Sequence, residues 1–204
     1  MQKSKLLIIA IGRCGSTALA SALHKAVPEY AKLERIFEPY NEYLGEDIVK
    51  TDYEFSNYSV CKTLVHQLPV SSSVEEHYDK LLSIFDKVIL LSRRNFEDTL
   101  TSFVYRVINS KSDEWHTRYF VEDNSNLPLE RHREFIQQQY VKLDYLSSRY
   151  NLPIHFYEDI FSGNQIKINT FIDSIDLNLN KDIMWRYINP ANKQRVDNIK
   201  DILI

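Results

Sequence analysis

The sequence predicts an α/β fold of three layers, a mainly parallel central sheet flanked by helices, and three observations carry that prediction. The continuous apolar run at 6–11 is followed by a glycine-bearing turn and then by good helix formers, which reads as buried strand, tight loop and helix. Further short β-rich runs alternate with helical patterns of about 10 to 20 residues, the signature of crossover units. The run at 87–91 is apolar enough to lie inside a parallel sheet covered on both faces.

The elements follow in order. Strand 6–11 leads through residues 12–17 into a helix carrying Ala18, Leu19, Ala20, Ala22 and Leu23. A second strand is expected at 59–65, then a helix over 74–85 with Leu81, Leu82 and Phe85 on one face. Strand 87–91 precedes a helix over 96–107. Residues 110–128 show no period and mix Trp115, Tyr119 and Phe120 with charges, so they read as a long ordered loop or lid. A helix over 129–150 repeats Phe135, Tyr140, Leu143 and Leu146 at helical spacing, and Pro153 introduces a last strand at 154–157. No internal repeat or low-complexity tract interrupts this order, and 204 residues suit a single domain over 1–204.

Composition narrows the function. With 44% hydrophobic and 26% charged residues, the chain is neither disordered nor collagen-like nor a coiled coil. Twenty-five basic against 28 acidic residues argue against nucleic-acid or anionic-membrane binding driven by counterion release, so any anion site must be local. Cys14 and Cys61 make no disulfide framework and match no zinc spacing, which points to a reducing compartment. The scattered histidines, His24, His66, His77, His116, His132 and His155, show no metal-ligand spacing, and no metal is expected. Lys3 and Lys5 before the apolar run resemble the start of a secretory signal. That run stops at Gly12 and Arg13, too short for a signal core, and no stretch approaches the roughly 18 to 20 apolar residues of a membrane span. A cytoplasmic protein without membrane contact is the expectation.

The chain has four glycines, and two of them lie in Gly12-Arg13-Cys14-Gly15-Ser16-Thr17, between first strand and first helix. Glycine used so sparingly marks backbone that turns sharply or approaches something closely. N–H groups at the helix start, the Ser16 and Thr17 hydroxyls and the Arg13 charge together suit an anion; a plain Ser- or Thr-capped turn is the bland alternative. A Walker A loop is excluded because Ser16 follows Gly15 directly, where a lysine is required. A cysteine phosphatase is excluded because Ala20, not arginine, lies six beyond Cys14. The helix end would make Cys14 somewhat acidic, yet no partner base is in view. A second cationic point, Arg93-Arg94, ends the 87–91 strand, on the side where ligands bind in open parallel sheets.

These residues resemble a known family. The 12–17 loop is similar to the 5′-phosphosulfate loop of sulfotransferases that use 3′-phosphoadenosine-5′-phosphosulfate (PAPS). Arg94-Asn95-Phe96-Glu97-Asp98 with Ser102 eight beyond the arginine resembles their 3′-phosphate motif, with Phe96 in place of the usual proline. Phe37-Glu38-Pro39 is similar to the Glu-Pro element of carbohydrate-type members, and Tyr157-Glu158-Asp159-Ile160 to their late Tyr-Glu-Asp-Leu. The four occur in family order over about residues 6 to 160. The C-terminal Lys-Gly-x-x-Gly-Asp-Trp-Lys segment of cytosolic members is absent, with Lys193-Gln194-Arg195 the nearest basic candidate.

The resemblance implies a P-loop NTPase-like sulfotransferase fold and transfer of a sulfuryl group from PAPS to a hydroxyl or amine, without a metal, on a small-molecule or glycan acceptor. Gly12, Arg13, Cys14, Gly15, Ser16 and Thr17 would hold the 5′-phosphosulfate, with Arg13 also supplying catalytic charge, and Arg94 and Ser102 the 3′-phosphate. Glu38 matches the catalytic glutamate of carbohydrate-type members and is the favoured base. Lys62-Thr63 resembles the Lys-Thr-His of cytosolic members; Leu64 takes the histidine's place, and His66, two residues later on the same strand face, competes with Glu38. Lys62 would stabilise charge on the departing phosphate oxygen. The alternatives are an atypical P-loop nucleotide or small-molecule kinase and a non-catalytic nucleotide-binding module.

Overall fold

Four of the apolar runs pair side by side as parallel strands in the computed structural model, which describes residues 5–30, 60–68, 74–109 and 128–188. The order in the sheet is β2-β1-β3-β4, with β1 Leu6–Ala10, β2 Val60–Leu64, β3 Lys87–Ser92 and β4 Ile154–Phe156. Leu6 stands level with Val60 on one side and Lys87 on the other, so all the carboxyl ends share one edge. The chain leaves β1 toward β2 and then returns to its other side as β3. That reversal opens a crevice beyond β1 and β3, the position where open parallel sheets hold ligands.

Seven α-helices flank the sheet among the described residues: α1 Ser16–Ala26, α2 Val74–Ser83, α3 Phe96–Asn109, α4 Leu129–Tyr150, α5 Tyr157–Ile160, α6 Gln165–Ile175 and α7 Lys181–Ile188. Every residue of β1 is buried, because alternate side chains enter different layers. Leu6, Ile8, Ile89 and Leu91 pack with Leu19 and Leu23 of α1, Ile168 and Phe171 of α6, and Met184 of α7. Leu7, Ile9, Cys61 and Leu90 pack on the opposite face with Tyr78 and Leu81 of α2 and Leu143 and Leu146 of α4. A smaller cluster joins Leu100, Phe103 and Val104 of α3 to Ile136 of α4.

The expected three-layer α/β fold is the observed one. Two strand ends differ in instructive ways. The second strand stops at Leu64, since Gln67 Oε1 accepts the Leu64 N–H at 2.7 Å and turns Val65–Gln67 into one 3-10 turn. The last strand stops at Phe156, and Tyr157 already opens α5. Helices α6 and α7 were not anticipated; Asn164 caps α6 by accepting from the N–H groups of Ile166 and Lys167. The 110–127 part of the expected lid lies outside the described residues, and Pro128 forms the N-cap of α4.

Candidate functional site

Residues 12–17 leave the buried end of β1 and enter α1 through two left-handed positions, Arg13 at φ 70° and Gly15 at φ 80°. Gly15 is also the N-cap, and no side chain caps the helix start, so the bland reading as a Ser- or Thr-capped turn does not hold. The first turn of α1 contains no acidic residue. Its N–H groups, which no helix satisfies internally, therefore meet no protein carboxylate from that turn. A glycine is needed at 15 for a second reason: a Cβ there would lie 2.8 Å from the Phe161 ring and 3.1 Å from that of Tyr157. The Tyr-Glu-Asp element thus packs directly on the loop.

The two halves of the expected ligand site meet at a single bond. Arg13 Nε donates to Ser102 Oγ at 3.2 Å, joining residues 89 apart in sequence, and Ser102 is only 4% exposed. Arg13 lies close enough to Arg106 and Arg93 to feel both. Burial of its guanidinium, then repulsion from Arg106 and Arg93, hold it below its ordinary range, although the residue as a whole is exposed. Cations crowded together in this way favour a bound anion between them.

Arg93 and Arg94 diverge past the end of β3. The Arg93 guanidinium lies 4.5 Å from the Tyr157 ring centre, and its Nε is 4.0 Å from Glu158, buried without a hydrogen-bond acceptor among the described residues. Arg94 instead lies over the Phe156 ring at 4.3 Å and binds Asp159 through its guanidinium, which holds the Asp159 carboxylate below its usual range. Both Glu158 oxygens accept from the Arg94 N–H, and one also from Asn95 N–H, so a carboxylate already sits at the start of α3. Arg94 lines a separate cleft of about 470 Å³ between β4, α5 and α6, to which no residue of the 12–17 loop contributes. The residue selected by spacing is thus turned from the loop, and its neighbour faces it.

Lys62 reaches the loop from β2. It is 5% exposed and donates to Thr17 Oγ1 at 2.9 Å, which leaves the Thr17 hydroxyl hydrogen directed elsewhere. A lysine missing from the loop itself is thereby supplied by the adjacent strand. His66 is not on the strand as expected but on the 3-10 turn after it; its ring stands 5.4 Å from that of Phe135, and its Nδ1 is 3.4 Å from Gln139 Oε1. The same oxygen accepts the Gly12 N–H at 3.2 Å. Burial lowers the His66 pKa, and Lys142 adds to the lowering.

Cys14 is fully buried. Its thiol donates to Ile11 O at 2.7 Å, and burial pushes its pKa up to about 12 despite Lys62 and Arg93 nearby. Burial outweighs the helix end and its N–H groups, so the acidic thiol expected there is not found. Glu38 and Lys193-Gln194-Arg195 lie outside the described residues.

The structure thus brings together Gly12, Arg13, Gly15, Thr17, Lys62, His66 and Ser102, and adds Arg93, Arg106 and Gln139, the last two of which sequence reasoning missed. Gln139 left a signal: it interrupts the buried stripe Ile136, Leu143, Leu146 of α4 at a helical position and is only 2% exposed. Among the described residues no group of three or more His, Cys, Asp and Glu could hold a metal, and no helix is long and apolar enough to cross a membrane. In comparisons with known proteins, no family model and no curated protein matches the chain.

Proposed function

We propose that the chain transfers a sulfuryl group from PAPS to a hydroxyl or amine of a small-molecule or glycan acceptor. The observation that carries the reading is the Arg13 to Ser102 hydrogen bond, which places the glycine loop and the α3 motif at one locus. A ligand held there meets backbone donors at one end and cations at the other, as an adenosine with phosphate on both its 5′ and 3′ sides demands. In this reading Gly15, Ser16, Thr17 and Arg13 take the 5′-phosphosulfate, the Gly12 N–H being engaged by Gln139, and Ser102 with Arg93 takes the 3′-phosphate.

Transfer is an in-line displacement at sulfur. Its demands are alignment, charge stabilisation and removal of one proton from the acceptor. In this reading Lys62 stabilises the phosphate oxygen that departs with the electron pair, a role supported by its bond to Thr17 of the loop. His66 stands beside the loop as a proton acceptor, and Glu38 remains the candidate from the resemblance.

One observation favours a second reading. Lys62 at Thr17 restores to the loop the cation that a phosphoryl-transfer enzyme uses on terminal phosphates, so a kinase acting on a nucleoside triphosphate is the alternative. Thermal unfolding with PAPS, 3′-phosphoadenosine-5′-phosphate (PAP), ATP and GTP separates the two, since a ligand at 100 times its dissociation constant adds about 2.7 kcal/mol. The proposal expects stabilisation by PAPS and PAP but not by GTP. Stabilisation by ATP and GTP alone would support the kinase. Transfer of labelled sulfate from PAPS across an acceptor panel then tests catalysis itself.

A further inference from the structure

Gln139 of α4 spends its side-chain oxygen twice, on the Gly12 N–H at 3.2 Å and on His66 Nδ1 at 3.4 Å. The first of these fixes the orientation of the amide. A backbone N–H only donates, so the atom facing Gly12 must be the oxygen. An amide oxygen only accepts, so the imidazole nitrogen facing it must carry the hydrogen. His66 is then protonated at Nδ1 and keeps its lone pair at Nε2.

The alternative arrangement is costlier. Rotating the amide would set its NH2 against the Gly12 N–H, two donors facing each other. The observed orientation leaves Gln139 Nε2 buried with no partner among the described residues, a cost of its own. A buried polar side chain that tolerates this is held for its oxygen. Burial also keeps His66 below its ordinary pKa, outweighing the Gln139 bond, which raises it, and Lys142 adds to the lowering, so the neutral ring is favoured at neutral pH.

We propose that Gln139 is the positioning residue that ties the 12–17 loop to His66 and sets the imidazole in the Nδ1–H tautomer, making Nε2 the proton acceptor of the reaction. The role of Nε2 rests on the transfer reading above; the tautomer does not. In the step itself, Nε2 takes the proton of the acceptor's hydroxyl as that oxygen bonds to sulfur. The bond from sulfur to the donor's phosphate oxygen breaks, and its electron pair leaves with PAP.

Nitrogen-15 NMR of histidine-labelled protein, without any nucleotide, reads the tautomer directly. The wild type should show His66 protonated at Nδ1 and unprotonated at Nε2 at neutral pH. Gln139→Leu should abolish that preference while leaving the His155 signals in place, and Gln139→Glu, which retains both acceptor contacts, should keep the tautomer and raise the His66 titration midpoint by about one pH unit or more. A wild-type ring protonated at Nε2 overturns the proposal, and so does a Gln139→Leu protein that retains the Nδ1–H form. Should Gln139→Leu not fold, the wild type and Gln139→Glu decide alone. In sulfate transfer, the acid limb of the kcat/KM profile should move with the NMR midpoint in Gln139→Glu; a limb that stays while the midpoint moves removes His66 as the base. Absence of PAPS binding would end the transfer reading and leave the tautomer result standing.

Discussion

Arg13 shows how much one side chain contributes at this site. It sits at φ 70°, where residues with a Cβ are strained, and it is crowded by Arg93 and Arg106, yet it reaches Ser102. Removing charge-assisted bonds of this kind costs roughly 1.5 to 3 kcal/mol each, so Arg13→Ala and Arg93→Ala should each weaken PAP binding by roughly tenfold or more in titration calorimetry. Arg94→Ala should change it by less than about threefold, because that guanidinium is already engaged by Asp159 on a side chain half exposed to water. Gly15→Ala adds a Cβ in the left-handed region within 2.8 Å of Phe161 and should cost roughly 2 kcal/mol or more in chemical denaturation. Spacing to Ser102 selects Arg94, but it cannot show which way the side chain turns. Both follow the same buried strand, and the choice falls to which ring, Tyr157 or Phe156, each guanidinium covers.

Elements were legible wherever one period ran unbroken. Helix α4 begins and ends at the expected residues because its buried positions recur at helical spacing from His132 to Leu146 and its ends are marked by Pro128 and a left-handed Asn151. The 59–65 strand was less legible at its end, since a side-chain bond from Gln67 stops it, and that bond moves His66 off the face on which strand alternation placed it. Helix α6 carries Ile168, Phe171, Ile172 and Ile175 at helical spacing, a pattern sufficient to identify it, with Asn164 as its cap. Asn164→Ala should therefore cost about 1 kcal/mol, read as a lowered denaturation midpoint with unchanged slope. Leu143→Ala, which opens a cavity where α4 meets the sheet, should cost about 2 to 5 kcal/mol. The candidate base Glu38 belongs to no described element, so only its sequence supports it.

Across the whole molecule, parallel register gathers the loop after β1, Lys62 of β2 with His66 just after it, Arg93 after β3 and Tyr157 after β4 along one edge. Stability should depend on pH through the histidines packed beneath that edge and elsewhere. Burial lowers the folded-state pKa of His66, His132 and His155, so the unfolded chain binds protons more readily. Their contribution is complete above the unfolded value near 6.5 and is lost as pH falls through the lower folded values. Asp159, also lowered, adds a further loss below about pH 4. Denaturation midpoints should accordingly fall between pH 7.5 and about 5.5; a flat profile would contradict the assignment. The central claim is that the 12–17 loop and α3 hold opposite ends of one ligand. Titration calorimetry of PAP against 5′-AMP, the same nucleotide lacking its 3′-phosphate, tests it most directly. One PAP per chain, bound roughly tenfold or more tightly than 5′-AMP, is the predicted result; equal affinities, or no PAP binding, would contradict it.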